Sequence, residues 1–170
     1  MYKKKFSKKK NKNIIKKMSL KPEISEDESF EKIKSGFKIN LIQMKDGDSG
    51  KMMWDCKDWD FSSPNQIVKI SKELLKCKII KRNVNFSSVE KIEDLELVQN
   101  FYLMGELFES SRFNFGFVIP NSTNDWEQII EAKEDGVLPA EILSGKLNVE
   151  TLFLCEGKII VQNKILIYYV

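Results

Sequence analysis

Only two of the 28 basic residues are arginines, and one of them, Arg82, falls on the apolar face of an extended segment. In residues 77–86 the even positions Ile80, Arg82, Val84 and Phe86 share one face, with Lys81, Asn83 and Asn85 on the other. The same alternation turns Gln99 inward with Leu97, Phe101 and Leu103, and Tyr169 inward with Ile165 and Ile167. Glu109 and Ser111 share the phase of Phe113. A guanidinium, a carboxamide, a carboxylate and a phenol, from four separate segments, thus point at one interior. Buried polar groups must find partners, and an unpaired buried charge is very costly. Two arrangements meet that demand. One is a packed core holding a satisfied network, such as an Arg82–Glu109 ion pair. The other is a hollow interior in which a few polar groups orient a mostly apolar ligand. The residues alone leave both open.

Catalysis has little to work with. The chain has no histidine, which removes the commonest general base, the commonest zinc ligand and every His-based triad. Cys56, Cys77 and Cys155 form no C-x-x-C and read as reduced core thiols of a cytosolic protein. Neither a Walker-type loop nor G-x-G-x-x-G occurs. No catalytic residue, metal or cofactor is expected. Asn121–Thr123 fits a glycosylation acceptor, but in a cytosolic chain its expected use is turn bonding after Pro120.

The alternation that aims these side chains prescribes a β-rich domain. Phe37, Ile39 and Leu41 alternate before Ile42 and Met44 take the other phase, as at a bulge. "GDSG" (Gly47–Gly50) marks a hairpin and "KMMWDC" the returning strand. Strand patterns follow at 67–70, 77–86, 96–105, 107–119, 147–155 and 158–169. In the last two the inward faces are Leu147, Val149, Thr151 and Phe153, then Ile159, Val161, Ile165, Ile167 and Tyr169. Short helices are predicted at Ser87–Leu95, where "SSVE" is a capping-box pattern, at Asp125–Ala132, with Trp126, Ile129 and Ile130 in the core, and at Pro139–Leu143. Many strands with short turns and few helices predict an all-β antiparallel sandwich.

Charge divides the chain. Nine lysines and no acid lie within residues 1–17, which leaves 19 basic against 25 acidic residues in the rest. Residues 1–34 read as a basic, then acidic, largely disordered extension, with a short helix near 28–36 built on Phe30 and Ile33. Residues 35–170 form the domain. The lysine run suits weak contact with an anionic membrane, at on the order of 1 kcal/mol per lysine near the surface, or serves as a solvated tail. A nucleic-acid partner is not expected. No apolar run approaches the roughly 20 residues that span a bilayer, and no secretion-signal core precedes the domain.

Five stretches carry a resemblance to a known family: "GFKINLIQMKDGDSGKMMW", "LLKCKIIKRNVNFSS", "FGFVIPNSTNDW", "LPAEILSG" and the final "YYV". In order and in register from about Ser35 to Val170, they resemble the prenyl-binding delta-subunit family of rod-type cyclic GMP phosphodiesterase. A sister family of myristoyl-binding carriers shares the fold but departs from this pattern after "FGF". The resemblance implies an immunoglobulin-like β-sandwich whose sheets enclose a hydrophobic pocket. It implies no enzymatic activity. The pocket would take the farnesyl or geranylgeranyl group of prenylated proteins, chiefly small GTPases of the Ras superfamily and also phosphodiesterase or kinase subunits. Cargo would be solubilised, moved between membranes from the cytoplasm, and released when an Arf-like GTPase in its GTP form binds a sheet edge. Myristoyl carriage and a filled-core interaction scaffold are the alternatives.

Carried over residue by residue, the implied polar pocket positions are Arg82, Gln99 and Tyr169, with Glu109 retained. The implied apolar lining is Ile39, Ile42, Trp54, Cys77, Ile80, Val84, Leu138, Leu143, Val149, Phe153, Ile165 and Ile167. Phe113, Phe115, Phe117 and Ile119, one stripe by alternation, become a wall and rim of the pocket. The family commonly has Glu-Trp where this chain has Ser110 and Ser111, a change expected to enlarge or reshape the pocket.

Overall fold

A computed structural model describes residues 26–170; the lysine run at 1–17 lies outside them. Helix α1 (Glu26–Gly36) leads into the domain and lays Phe30 and Ile33 against its core. Nine strands follow: β1 (Phe37–Asp46), β2 (Met52–Lys57), β3 (Gln66–Ile70), β4 (Ile79–Ser88), β5 (Ile92–Leu103), β6 (Glu106–Val118), β7 (Ser122–Glu131), β8 (Leu147–Cys155) and β9 (Lys158–Tyr169). A 3₁₀ turn (Lys72–Lys76) follows β3, and a single helical turn, α2 (Ala140–Leu143), precedes β8. One sheet has the order β2-β1-β4-β7 and the other β3-β9-β8-β5-β6. The two face each other as an immunoglobulin-like sandwich. One pairing departs from the antiparallel expectation: β3 runs parallel to β9.

Turn chemistry sets the registers. The β5–β6 link is Met104–Gly105 and the β8–β9 link is Glu156–Gly157, and all four residues have positive φ. Two central residues of that hand match the twist of the strands they join. At the β1–β2 hairpin, the Asp46 carboxylate accepts from the Ser49 amide at 3.1 Å and its hydroxyl at 2.5 Å. Those bonds hold the acid below its ordinary pKa.

Two predicted helices are strands. Ser87–Leu95 spans the end of β4 and the start of β5; Ser88 Oγ donates to the Glu90 carbonyl at 2.6 Å instead of capping a helix. Ile92 and Leu95, spaced as on one face of a helix, both point inward because register shifts flank Leu95. Asp125–Ala132 falls mostly in β7, where Trp126 and Gln128 point in and Ile129 points out at 47% exposure.

Two inward stripes also break. Gly116 has φ +88° within β6, so the phase that holds for Phe113 and Phe115 is lost beyond it. Phe117 and Ile119 are 52% and 63% exposed, while Val118 is buried. They form no wall or rim of the interior. In β9 a shift opposite Phe153/Leu154 turns Ile159 outward and Ile160 inward.

The interior has two halves. Phe86, Phe153, Leu97 and Val118 anchor a filled cluster at one end, closed by ring contacts of 5.6 Å between Phe37 and Phe86 and 5.1 Å between Phe86 and Phe115. A second cluster of Val68, Ile70, Leu147, Val149 and Ile167 lines the other end, and that end is hollow.

Candidate functional site

The hollow end is a cavity of about 600 Å³ between the two sheets, within the range of about 300–1,000 Å³ typical of small-ligand sites. Its walls come from both sheets. Ile42, Met44, Trp54, Ile80 and Val84 stand on the four-stranded sheet, and Phe101, Val149, Phe153, Ile165 and Ile167 on the five-stranded one. Leu138 and Leu143, around α2, close one side, together with Cys77 after the 3₁₀ turn. Phe108, Glu109, Lys133 and Val137 also border it.

Most of the side chains selected from sequence meet here. Arg82, Gln99, Tyr169 and Glu109 all border the cavity, as do Ile42, Trp54, Cys77, Ile80, Val84, Leu138, Leu143, Val149, Phe153, Ile165 and Ile167. Ile39 does not. It packs in the filled cluster because it lies opposite Phe86, while the register shift between Ile39 and Leu41 brings Ile42 inward opposite Val84, where it reaches the cavity. Phe113 and Phe115 likewise pack against the filled cluster. Of the three thiols only Cys155 is buried.

The polar groups form a layer between the halves. Arg82 and Gln128 pair across β4 and β7. In the facing sheet, Ser111, Gln99, Thr151 and Asn163 are register partners across β6, β5, β8 and β9. The residue two places along each strand toward one end belongs to the filled cluster: Val84, Trp126, Phe113, Leu97, Phe153 and Val161. Toward the other end, Ile80, Ile130, Glu109, Phe101, Val149 and Ile165 border the cavity. Val84, Leu97 and Phe153 also border the cavity, so the layer belongs to its wall where the filled and hollow halves meet.

Its bonding differs from the ion pair suggested by sequence. Arg82 Nε donates to Gln128 Oε1 at 2.5 Å, and Arg82 Nη1 donates to Gln99 Oε1. Gln99 Nε2 in turn donates to Thr151 Oγ1 at 3.2 Å. The guanidinium lies 5.0 Å over the Phe113 ring. Glu109 instead pairs with Lys133 at 3.3 Å. Arg82 is only 5% exposed, and burial lowers its pKa to about 10, so it stays protonated at neutral pH. Burial also pushes the Tyr169 phenol up to about 12, so it is a neutral hydroxyl at neutral pH. Its strand end is held where Tyr169 N donates to Ser144 Oγ at 2.9 Å.

Sequence reasoning missed several members. Trp59 and Phe61 sit in the irregular segment after β2 and extend an aromatic chain along the wall, Trp54–Trp59 at 5.6 Å and Trp59–Phe61 at 6.0 Å. No period marks them. Gln128 was hidden by the helical reading of its segment; alternation of Trp126, Gln128 and Ile130 would have placed it inward. Asn163 is buried on the same face of β9 as Ile165 and Ile167.

A mostly apolar cavity with a few polar side chains in its wall and charged residues, Glu109, Glu131, Lys133 and Asp135, along its border suits a hydrocarbon ligand. A family model described as "GMP-PDE, delta subunit" matches residues 31–169.

Proposed function

The chain belongs to the GMP-PDE delta-subunit family, whose members are prenyl-binding solubilising factors and not enzymes, and on that premise we propose that it carries prenylated proteins by burying their farnesyl or geranylgeranyl group in the cavity. The observation that carries this reading is the 600 Å³ apolar space between the sheets, where a filled-core scaffold would have packed side chains. The cargoes are small GTPases and similar prenylated proteins. Among the described residues no helix is long and apolar enough to cross a membrane, and the carrier works from the cytoplasm, visiting membranes to collect and deliver cargo.

The magnitudes are adequate. A farnesyl group has about fifteen carbons, and at about 0.8 kcal/mol each full burial contributes roughly 12 kcal/mol. Lost translational freedom and side-chain ordering offset several kcal/mol of that, which leaves micromolar to nanomolar affinity. Hydrocarbon burial is blind to the attached protein, so discrimination falls to residues at the border of the cavity, Glu109 and Lys133 among them.

Release follows from linkage. A GTP-loaded Arf-like GTPase that prefers the empty, narrowed carrier must weaken lipid binding by the same factor by which lipid weakens its own. Strand β7 supports such a route. It is an edge of its sheet, and Ile130 and Glu131 at its end border the cavity, so a strand added there pulls directly on the border.

Titration with fluorescent farnesylated, geranylgeranylated and myristoylated peptides tests the reading. Tight binding of a prenyl peptide supports it. Preference for the myristoyl peptide assigns the chain to acyl carriage, and equal cargo affinity with and without the loaded GTPase removes the release step.

A further inference from the structure

One side of the cavity is open, and an ion pair crosses it. Among the residues that border the cavity, the exposed ones are Phe108 and members of the run 131–137. Of the exposed large apolar side chains, only Phe108 and Val137, at 53% and 46%, border it. The rest of the wall is buried or half-buried. A ligand therefore enters between the start of β6 and the segment that leaves β7. These two strands are edges of opposite sheets. Glu109 Oε2, on β6, and Lys133 Nζ, just past β7, stand 3.3 Å apart across that gap. None of the other described ion pairs joins the two sheets. Lys133 also begins a tight turn, in which Gly136 N donates to its carbonyl at 2.9 Å, so its side chain leaves from an anchored backbone.

A cargo protein stays outside while its lipid goes in, so the peptide next to the prenyl cysteine passes through the gap. We propose that the Glu109–Lys133 pair is a latch, which holds the entrance shut in the empty carrier and is broken in the loaded one. The inference rests on the reading of the cavity as a prenyl site and adds how access to that site is controlled. A pair this exposed is weak, and salt screens it, so the latch slows entry without blocking it. Its cost falls on association. A weakened latch speeds entry and tightens binding by the same factor, with the exit rate unchanged.

Stopped-flow fluorescence of the full chain with a farnesyl peptide tests this. The peptide is uncharged beside the prenyl cysteine, so neither side chain meets an opposite charge on it. Lys133→Gln and Glu109→Gln are each expected to raise the association rate about 2–5-fold. Together they are expected to do no more than either alone, since both remove one interaction. Exchanging the charges, Glu109→Lys with Lys133→Glu, is expected to restore the parent rate. Added sodium chloride is expected to speed association more in the parent than in Lys133→Gln. Thermal unfolding confirms that each variant is folded. Single variants as slow as the parent, effects that multiply in the double variant, a charge-exchanged chain as fast as the single variants, or an equal salt response each overturn the latch and leave the prenyl reading standing. If the folded parent binds no prenyl peptide, the prenyl reading falls and the latch with it.

Discussion

Ile165→Trp gives the sharpest test of the hollow half. Ile165 sits on β9 opposite Val149, on the inward face, and is only half-buried because that face borders the cavity. An indole adds about six non-hydrogen atoms over the isoleucine side chain, and they enter open space. If they exclude about four prenyl carbons at ~0.8 kcal/mol each, the loss is ~3 kcal/mol, more than a hundredfold in Kd. Overpacking of a filled core costs about 1–3 kcal/mol in stability, and a side chain entering a cavity avoids most of that. Fluorescence anisotropy of a farnesyl peptide measures the affinity, and thermal unfolding checks the fold. Ile39→Val is the matched control: in the filled half it lowers stability by about 0.5–1.5 kcal/mol and leaves Kd unchanged. A folded Ile165→Trp protein that binds within threefold of the parent refutes the assignment of the cavity as the lipid site.

Other outcomes follow from the same geometry. Gln128→Leu leaves Arg82 Nε without its acceptor and is expected to cost about 1–3 kcal/mol, a fall of roughly 3–10 °C in Tm for a domain of this size. Cys77 lines the cavity, and burial, then the charge of Asp46, raises its thiol pKa above 9.0; its alkylation rate should keep climbing through pH 9 and should drop when farnesyl peptide is bound, read by mass spectrometry of labelled peptides. Glu150 accepts from Asn100 at 3.0 Å, and that bond first, then those from Gln162 and Tyr102, holds it below its ordinary 4.5. A depressed folded pKa contributes stability that is present above 4.5 and lost as pH falls through the folded value. The Tm difference between the parent and Glu150→Gln should therefore shrink on acidification below about pH 4.5 and stay constant between pH 6 and 8.

Much of the site was legible because strand alternation carries face information directly. Arg82, Gln99 and Tyr169 were placed inward from period two alone, and the structure has all three at the cavity. What alternation cannot carry is a change of phase. Gly116 and the shift opposite Leu154 each reverse the faces beyond them, and there alternation fails for Phe117, Ile119 and Ile159; Ile39, implied by the resemblance, points inward but lies too far along β1, opposite Phe86 in the filled half. The two false helices have a related cause. Bulged strand starts and an outward Ile129 imitate helical spacing, and pairing with β4 and β6 decides the outcome. Nor does any local pattern separate a filled interior from a hollow one. Phe86 and Ile80 lie on the same face of β4, yet one is wholly buried and the other half-open to the cavity; only the facing sheet determines which.

The division into a filled and a hollow half also bears on how such a chain diversifies. Hydrophobic contacts among Phe86, Phe153, Leu97 and Val118 hold the sandwich whether or not the other half is occupied. Residues around the cavity pack in their own cluster but face open space on one side, so a change of size or shape on that side alters what fits at less cost to packing. The Ser110–Ser111 pair, expected from sequence to reshape the pocket, is in register with Asn100 and Gln99 but is not part of the cavity wall; Ser110 Oγ donates to Asn100 Oδ1 at 2.8 Å on the exposed side. Substitution at the cavity wall therefore sets which ligand fits, while the filled half sets the stability of the sandwich.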